Sequence, residues 1–323
     1  MTESNNGCWL LLIHQIPPKP NYLRVKIWRR LQRLGAVAIK SSVYALPKND
    51  QSQEDFQWVL REIIEGGGDG TLCEARLIDG VTDDDVEALF QSARAADYAQ
   101  ISEAARLITK TLPVKLKPET HRLELEHEIV KLRRRFDDVV AIDFFGASGR
   151  EAASGLLSEI ESRTRGNKAR PSQTRIDRQK LRGKIWVTRK GIHIDRMASA
   201  WLIRRFIDEQ TKFKFVPAKG YKPLRDEIRF DMFEAEFTHE GDSCTLEVLI
   251  KRTGIEDPAV IPIAEIVHDI DLKDSKFKRL ESLGIERLIA GIAMSHKDDE
   301  ARLARGVAVF DDLYEYFRRK RGK

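Results

Sequence analysis

The chain has 323 residues, 41% of them hydrophobic, which gives apolar material for two cores and excludes whole-chain disorder. No stretch reaches the roughly 18–20 apolar residues of a membrane span. The run 9–13 is too short for a signal peptide and lacks a basic segment before it, so the expectation is a cytoplasmic protein with no membrane partner. Lys and Arg total 56 against 51 Asp and Glu, a net charge of +5, and three cysteines (Cys8, Cys73, Cys244) without a CxxC pair exclude a disulfide framework or zinc knuckle.

Residues 8–14 form a continuous apolar run that predicts a buried strand, stopped by Pro17, Pro18 and Pro20. Asn21 caps a helix whose apolar positions are Leu23, Ile27, Leu31 and Leu34, and Gly35 suits the position after its end. A hairpin follows, 37–39 against 43–46 across Ser41 and Ser42. Then come a helix over 53–65, a glycine-rich turn over 66–70 and an alternating strand over 72–78. This β-α-β-β-α-β order predicts a ferredoxin-like module. Segments 83–109, 118–138 and 152–161 read as helices.

Segment 163–190 holds eleven Lys or Arg and one acid, Asp177, with few large apolar residues. It predicts a charged linker over 163–182 between an N-terminal domain, 1–162, and a C-terminal domain, 183–323. In the latter, 184–188 reads as a strand and Asp195 as the cap of a helix carrying Met197, Trp201, Leu202 and Phe206. Segments 213–217, 228–237 and 244–250 read as strands. Asp257 and Pro258 read as the cap and first position of a helix with Val260, Ile261, Ala264 and Val267. The last helix spaces Leu303, Val307, Phe310, Tyr314 and Phe317 as core packing or a homodimer seam. The fold class is α+β.

Three residue sets can carry chemistry. Lys26, Arg29, Arg30 and Arg33 fall at i, i+3, i+4 and i+7, so they share one helix face; Arg24 extends it, and Arg175 and Arg178 add linker charge. Such a stripe attracts a phosphate backbone, although a lone stripe also serves as a solvated face. A second set is a polar constellation of the C-terminal domain, His193, Asp195 and Arg196 with Glu236, His239, Cys244 and Glu247 and with Glu265, His268, Asp269 and Asp271, in which His193, His239, Cys244, Glu265 and His268 offer ligands for a divalent transition metal. Glu265 and His268 have the i, i+3 spacing that points both at one ion. His239 and Cys244 face each other if Gly241 and Asp242 turn a hairpin, and imidazole with thiolate suits a soft ion. Were this an enzyme, Asp271, Asp269 or Glu247 would be the general base. The plainer alternative is helix caps and satisfied core histidines. In the third set, Arg196, Arg204, Arg205 and Lys273 are candidates for an oxyanion pocket. The chain has no Walker A loop, GxGxxG, HExxH or nucleophile elbow, and no nucleotide or flavin motif.

The run Arg24-Val-Lys-Ile-Trp-Arg-Arg-Leu-Gln-Arg-Leu-Gly35, with Ser42-Val-Tyr-Ala-Leu-Pro47, resembles the N-terminal half of the ChrB family of chromate-resistance regulatory proteins. It is also similar, more distantly, to the ferredoxin-like module of PaaX-type repressors and Cas2-type proteins. No Cas2 catalytic acid carries over, because the first strand ends in His14 and Gln15. The C-terminal half carries the resemblance in His193-Ile-Asp-Arg-Met-Ala-Ser-Ala-Trp-Leu-Ile-Arg-Arg-Phe-Ile-Asp208, in the run from Phe230 to Gly241, and in His268-Asp-Ile-Asp-Leu-Lys-Asp274. The resemblance implies a chromate-responsive transcriptional regulator that binds promoter DNA and senses chromate or a metal ion. It does not say which residues sense.

Overall fold

The computed structural model describes residues 8–19, 21–111, 119–164, 175–217 and 220–320. The chain divides into two compact units, one of Met1–Tyr98 with Arg135–Ser148, the other of Ala99–Arg134 with Gly149–Lys323. This differs from the expected boundaries at 162 and 183, because helical segments assigned to the first domain by sequence order pack with the second. Of the expected linker, 165–174 lies outside the described residues. Its end is not a free tether: Ile176 N–H donates to the Arg252 carbonyl at 2.7 Å, and Asp177 caps a short 3-10 turn, Arg178–Leu181.

The first unit contains β1 (Cys8–Gln15), α1 (Asn21–Arg33), β2 (Val37–Lys40), β3 (Val43–Pro47), α2 (Asp50–Glu65) and β4 (Asp69–Arg76). All pairings are antiparallel and the order is β2-β3-β1-β4, the ferredoxin-like arrangement expected from the sequence. Alternation along β1 places Leu10 and Leu12 in the core while Ile13 stays exposed. They join Leu23, Ile27 and Leu31 of α1 and Phe56, Val59 and Ile63 of α2. Asn49 caps α2 by accepting from Ser52 N–H at 2.8 Å. Gly35 has φ +73°, and a Cβ there would lie 2.7 Å from Ile142 Cβ, so the turn after α1 requires glycine twice over. β4 begins three residues before the expected 72, since β1 runs on to Gln15 and pairs it with Asp69.

The second unit has a parallel sheet of β5 (Ile185–Arg189), β6 (Lys212–Val216) and β7 (Glu227–Arg229), in the order β6-β5-β7. Helices α3 (Asp83–Thr111) and α4 (Glu119–Ala141) contribute residues to both units, and α5 (Arg150–Thr164) belongs to the second. α6 (Ile194–Phe206) connects β5 to β6; α7 (Thr245–Thr253), α8 (Val260–Leu272), α9 (Ser282–Ser295) and α10 (Asp299–Lys320) follow. Trp186, Trp201, Phe230, Phe237, Phe310, Ile263, Ile266 and Val267 form one buried core.

Three elements differ from expectation. Segment 228–237 is a strand only as far as Arg229; the chain then loops through left-handed Asp231 (φ +46°) and Glu234 (φ +57°), and Phe237 bridges back to Phe230. Segment 244–250 is not a strand but opens α7, because Leu246, Val248, Leu249 and Thr253 bury one helical face and Glu247 accepts from Cys244 N–H at 2.9 Å. α8 starts at Val260 rather than at Pro258, with Asp257 accepting from Ala259 N–H. The α10 seam is spent on the unit's own core, where Leu303, Phe310, Tyr314 and Phe317 are buried. Gly306 lets α10 approach α6, since a Cβ there would lie 2.7 Å from Met197 Sδ.

Candidate functional site

In the first unit, the apolar stripe of α1 faces the sheet and leaves its cations outside. Lys26 and Arg30 share Glu62 at 3.6 and 3.0 Å. Arg24, Arg29 and Arg33 are exposed and have no ion-pair partner among the described residues. Trp28 (52% exposed) and Tyr22 (70%) stand among them. A groove of about 540 Å³ beside the helix is lined by His14, Arg24, Trp28, Ser41, Ser42 and Tyr44, among others. The aromatic groups give cations a stacking surface beside them, a pairing that suits nucleic acid. The sequence reading missed Trp28, whose signal was a large aromatic between Ile27 and Arg29. The linker arginines belong to the second unit. Arg175 donates to the Gly254 carbonyl and to Glu256 at 2.8 and 3.0 Å, so part of its charge is already used.

In the second unit, the polar centre lies at the C-terminal ends of β5 and β7, the edge where parallel sheets place ligands. His193, not Asp195, is the N-cap of α6, and it makes no side-chain cap bond. Asp195 enters the helix and turns inward instead. Its two oxygens accept from Thr245 N–H at 2.8 Å and Leu246 N–H at 2.9 Å, tying α6 to the start of α7. His239, on the loop after β7, is buried. Its Nε2 lies 2.8 Å from Asp271 Oδ2 and 4.0 Å from Asp195 Oδ2. Its Nδ1 lies 3.4 Å from Thr245 Oγ1 and 3.6 Å from Asp231 Oδ1. Asp231 in turn holds the Arg196 guanidinium at 2.9 Å, both side chains being 8% exposed. Arg189, at the end of β5, donates to Glu151 of α5 at 3.1 Å. Gly155 of α5 makes room for this loop, as a Cβ there would lie 3.1 Å from the His239 carbonyl.

The electrostatics follow from this crowding. Burial opposes a charge on His239, but the Asp271 hydrogen bond and the carboxylates of Asp271, Asp231 and Asp195 overcome it and push the pKa up to about 10. Burial pushes Asp195 up to about 7, with Asp231 and Asp271 adding to the rise. Burial would raise Asp231 too, yet Arg196, His239 and Arg189 hold it below the usual carboxylate range. Ligand atoms of Asp195, His239 and Asp271 all lie within 4.8 Å of one another, the only such group of three among the described residues.

The expected metal set is therefore not brought together as a set. His268 is buried in a different knot, with Nδ1 2.7 Å from Glu247 and Nε2 3.4 Å from Asp274. Glu265 turns toward Arg279 at 3.5 Å rather than sharing an ion with His268. Cys244 is the buried N-cap of α7, and burial pushes its thiol up, so it offers no thiolate. His193 is exposed at the rim, near enough for its charge to feel Asp271. Among the candidate bases, Asp269 accepts from Phe277 and Arg279 N–H, Glu247 is held as above, and Asp271 alone faces the cluster. The oxyanion set does not converge either. Arg196 is buried on Asp231, Arg204 lies over the Phe213 ring, Arg205 pairs with Asp311, and Lys273 is an exposed left-handed residue ending α8. Sequence reasoning placed Asp195 in the polar constellation but also cast it as a cap, and it missed Asp231. The signal for Asp231 was an acid flanked by large apolar residues, in Phe-Asp-Met-Phe.

No helix among the described residues is long and apolar enough to cross a membrane. Residues 24–173 match the family model for the N-terminal part of protein ChrB, and residues 186–317 match that for the ChrB C-terminal domain. Protein ChrB of Cupriavidus metallidurans is 29% identical over 330 residues, covering 98% of this chain and 97% of its own length. No solved structure matches. With a family model on each half and a relative matched nearly end to end, the chain belongs to the ChrB family, which is associated with chromate resistance.

Proposed function

We propose that the chain is a transcriptional regulator of chromate resistance. In this reading α1 of the first unit holds promoter DNA, and the second unit senses chromate or a metal ion. The observation that carries it is the set of exposed cations on α1, Arg24, Arg29 and Arg33, which no acid among the described residues neutralises and which stand beside exposed Trp28 and Tyr22. Cations left unpaired beside aromatic rings favour a polyanion partner, and phosphate contacts supply most of the affinity of such an interface. The family association with chromate supports the sensing half, and a ligand acts there only by favouring one state of the protein over another. Retardation of the chain's own operon promoter, with and without chromate, tests the reading. Tighter binding than to random DNA, altered by chromate, supports it; equal and unaltered binding rejects it.

A second reading, a metal-dependent enzyme, is favoured by Asp195 and Asp271 flanking His239, with Asp195 titrating near neutrality. In that case Asp271 is the candidate base that faces the cluster. Promoter binding that is indifferent to every chromium species would favour this reading over the first.

A further inference from the structure

Resting on the reading of the second unit as the sensing half, we propose that Asp195, His239 and Asp271 form a site for one hard-to-borderline metal cation, the class that includes Mn²⁺, Fe²⁺ and Cr³⁺. The three side chains come from α6, the loop after β7, and α8, yet their ligand atoms lie within 4.8 Å of one another. One imidazole nitrogen with two carboxylates is a donor set for such ions, and the absence of thiolate argues against soft ones.

Two of the three ligands are oriented from outside. Asp195 is held by two backbone amides of α7. The Nδ1 face of His239 looks onto Thr245 Oγ1 and Asp231 Oδ1, which leaves Nε2 to face Asp195 and Asp271. A metal-bound histidine usually carries such a carboxylate or hydroxyl behind its second nitrogen. Left-handed Asp231 shows that the loop accepts backbone strain to put this carboxylate there. Access is from the Asp271 side, where the side chain is 25% exposed and the His193 imidazole stands exposed nearby. The two carboxylate ligands favour a cation, Asp231 is already paired with Arg196, and the other arginines that would attract a dianion are paired or dispersed. The site therefore takes cations, not chromate itself.

Electron paramagnetic resonance of free Mn²⁺, titrated against the full chain after dialysis with a chelator, tests this. The expected result is uptake of one ion per chain, weakened at least tenfold in Asp271→Asn and in His239→Gln and unchanged in Glu265→Gln. Circular dichroism checks that each variant is folded; if His239→Gln is not, the more exposed Asp271→Asn decides. No uptake by the wild-type chain, or equal uptake by wild type and Asp271→Asn, overturns the site. Promoter binding measured on the same samples separates the two readings. DNA binding without Mn²⁺ uptake sinks the cation site and spares the regulator, whereas Mn²⁺ uptake without DNA binding upholds the site and sinks the regulator.

Discussion

His239 and Asp271 stand 32 positions apart in the chain, and their side chains meet at 2.8 Å in the second unit. His239 is buried, while Asp271 keeps a quarter of its side chain in solvent. The pair thus joins the interior of the polar centre to its rim, and a change at either residue is felt by Asp195.

The pH dependence of stability follows from the signs of these shifts. His239 rises from 6.5 to about 10, so its charge contributes stability that is fully present below 6.5 and is lost as pH climbs through about 10. Asp195 rises from 3.8 to about 7, so its contribution fades across that lower window. Urea midpoints should therefore fall steadily between pH 7 and 10, and His239→Gln should flatten that slope. A midpoint that rises across this range would refute the assignment.

Arg196→Met should destabilise the second unit by about 3–5 kcal/mol, because it strands the buried Asp231 carboxylate. Arg196→Met combined with Asp231→Asn should recover part of that loss, since the stranded charge is gone. Urea denaturation of both variants checks this, and equal losses would show that the pair is not coupled.

Gly155→Val should cost about 1–3 kcal/mol, the usual penalty of overpacking. A Cβ at this position already lies 3.1 Å from the His239 carbonyl, so the larger side chain must push the loop. The imidazole resonances of His239 should shift with the melting temperature, whereas those of exposed His193 should move less. A drop in melting temperature with unmoved His239 resonances would place the strain elsewhere.

The first unit was largely legible because its signals are local. The apolar run of β1, the spacing of Leu23, Ile27 and Leu31, Gly35 and the Ser41–Ser42 hairpin each act within a few residues. The strand expected over 244–250 failed because an aliphatic run that short fits either period; the capping contribution of Glu247 and burial against the core chose the helix. The cation face of α1 was legible for the same local reason, although its neutral neighbour Trp28 was not weighed. The polar centre was only half legible. His239, Asp271 and Asp195 were named within one polar constellation, though for different roles, while Asp231 was not, and what brings the four together is the crossing of α6, the post-β7 loop and α8, which no spacing encodes. Glu265 and His268 had the right spacing for a shared ion, but Arg279 and Glu247 hold them in separate contacts.

The claim that α1 carries the DNA contact is tested most directly by the salt dependence of promoter binding. Each phosphate neutralised by a cation adds about 0.9 to the slope of log K against log salt. The triple variant Arg24→Gln, Arg29→Gln, Arg33→Gln, confirmed as folded, should lower that slope by about 3 and weaken binding to all sequences alike. An unchanged slope in the triple variant, or no measurable promoter binding by the wild-type chain, would contradict the account.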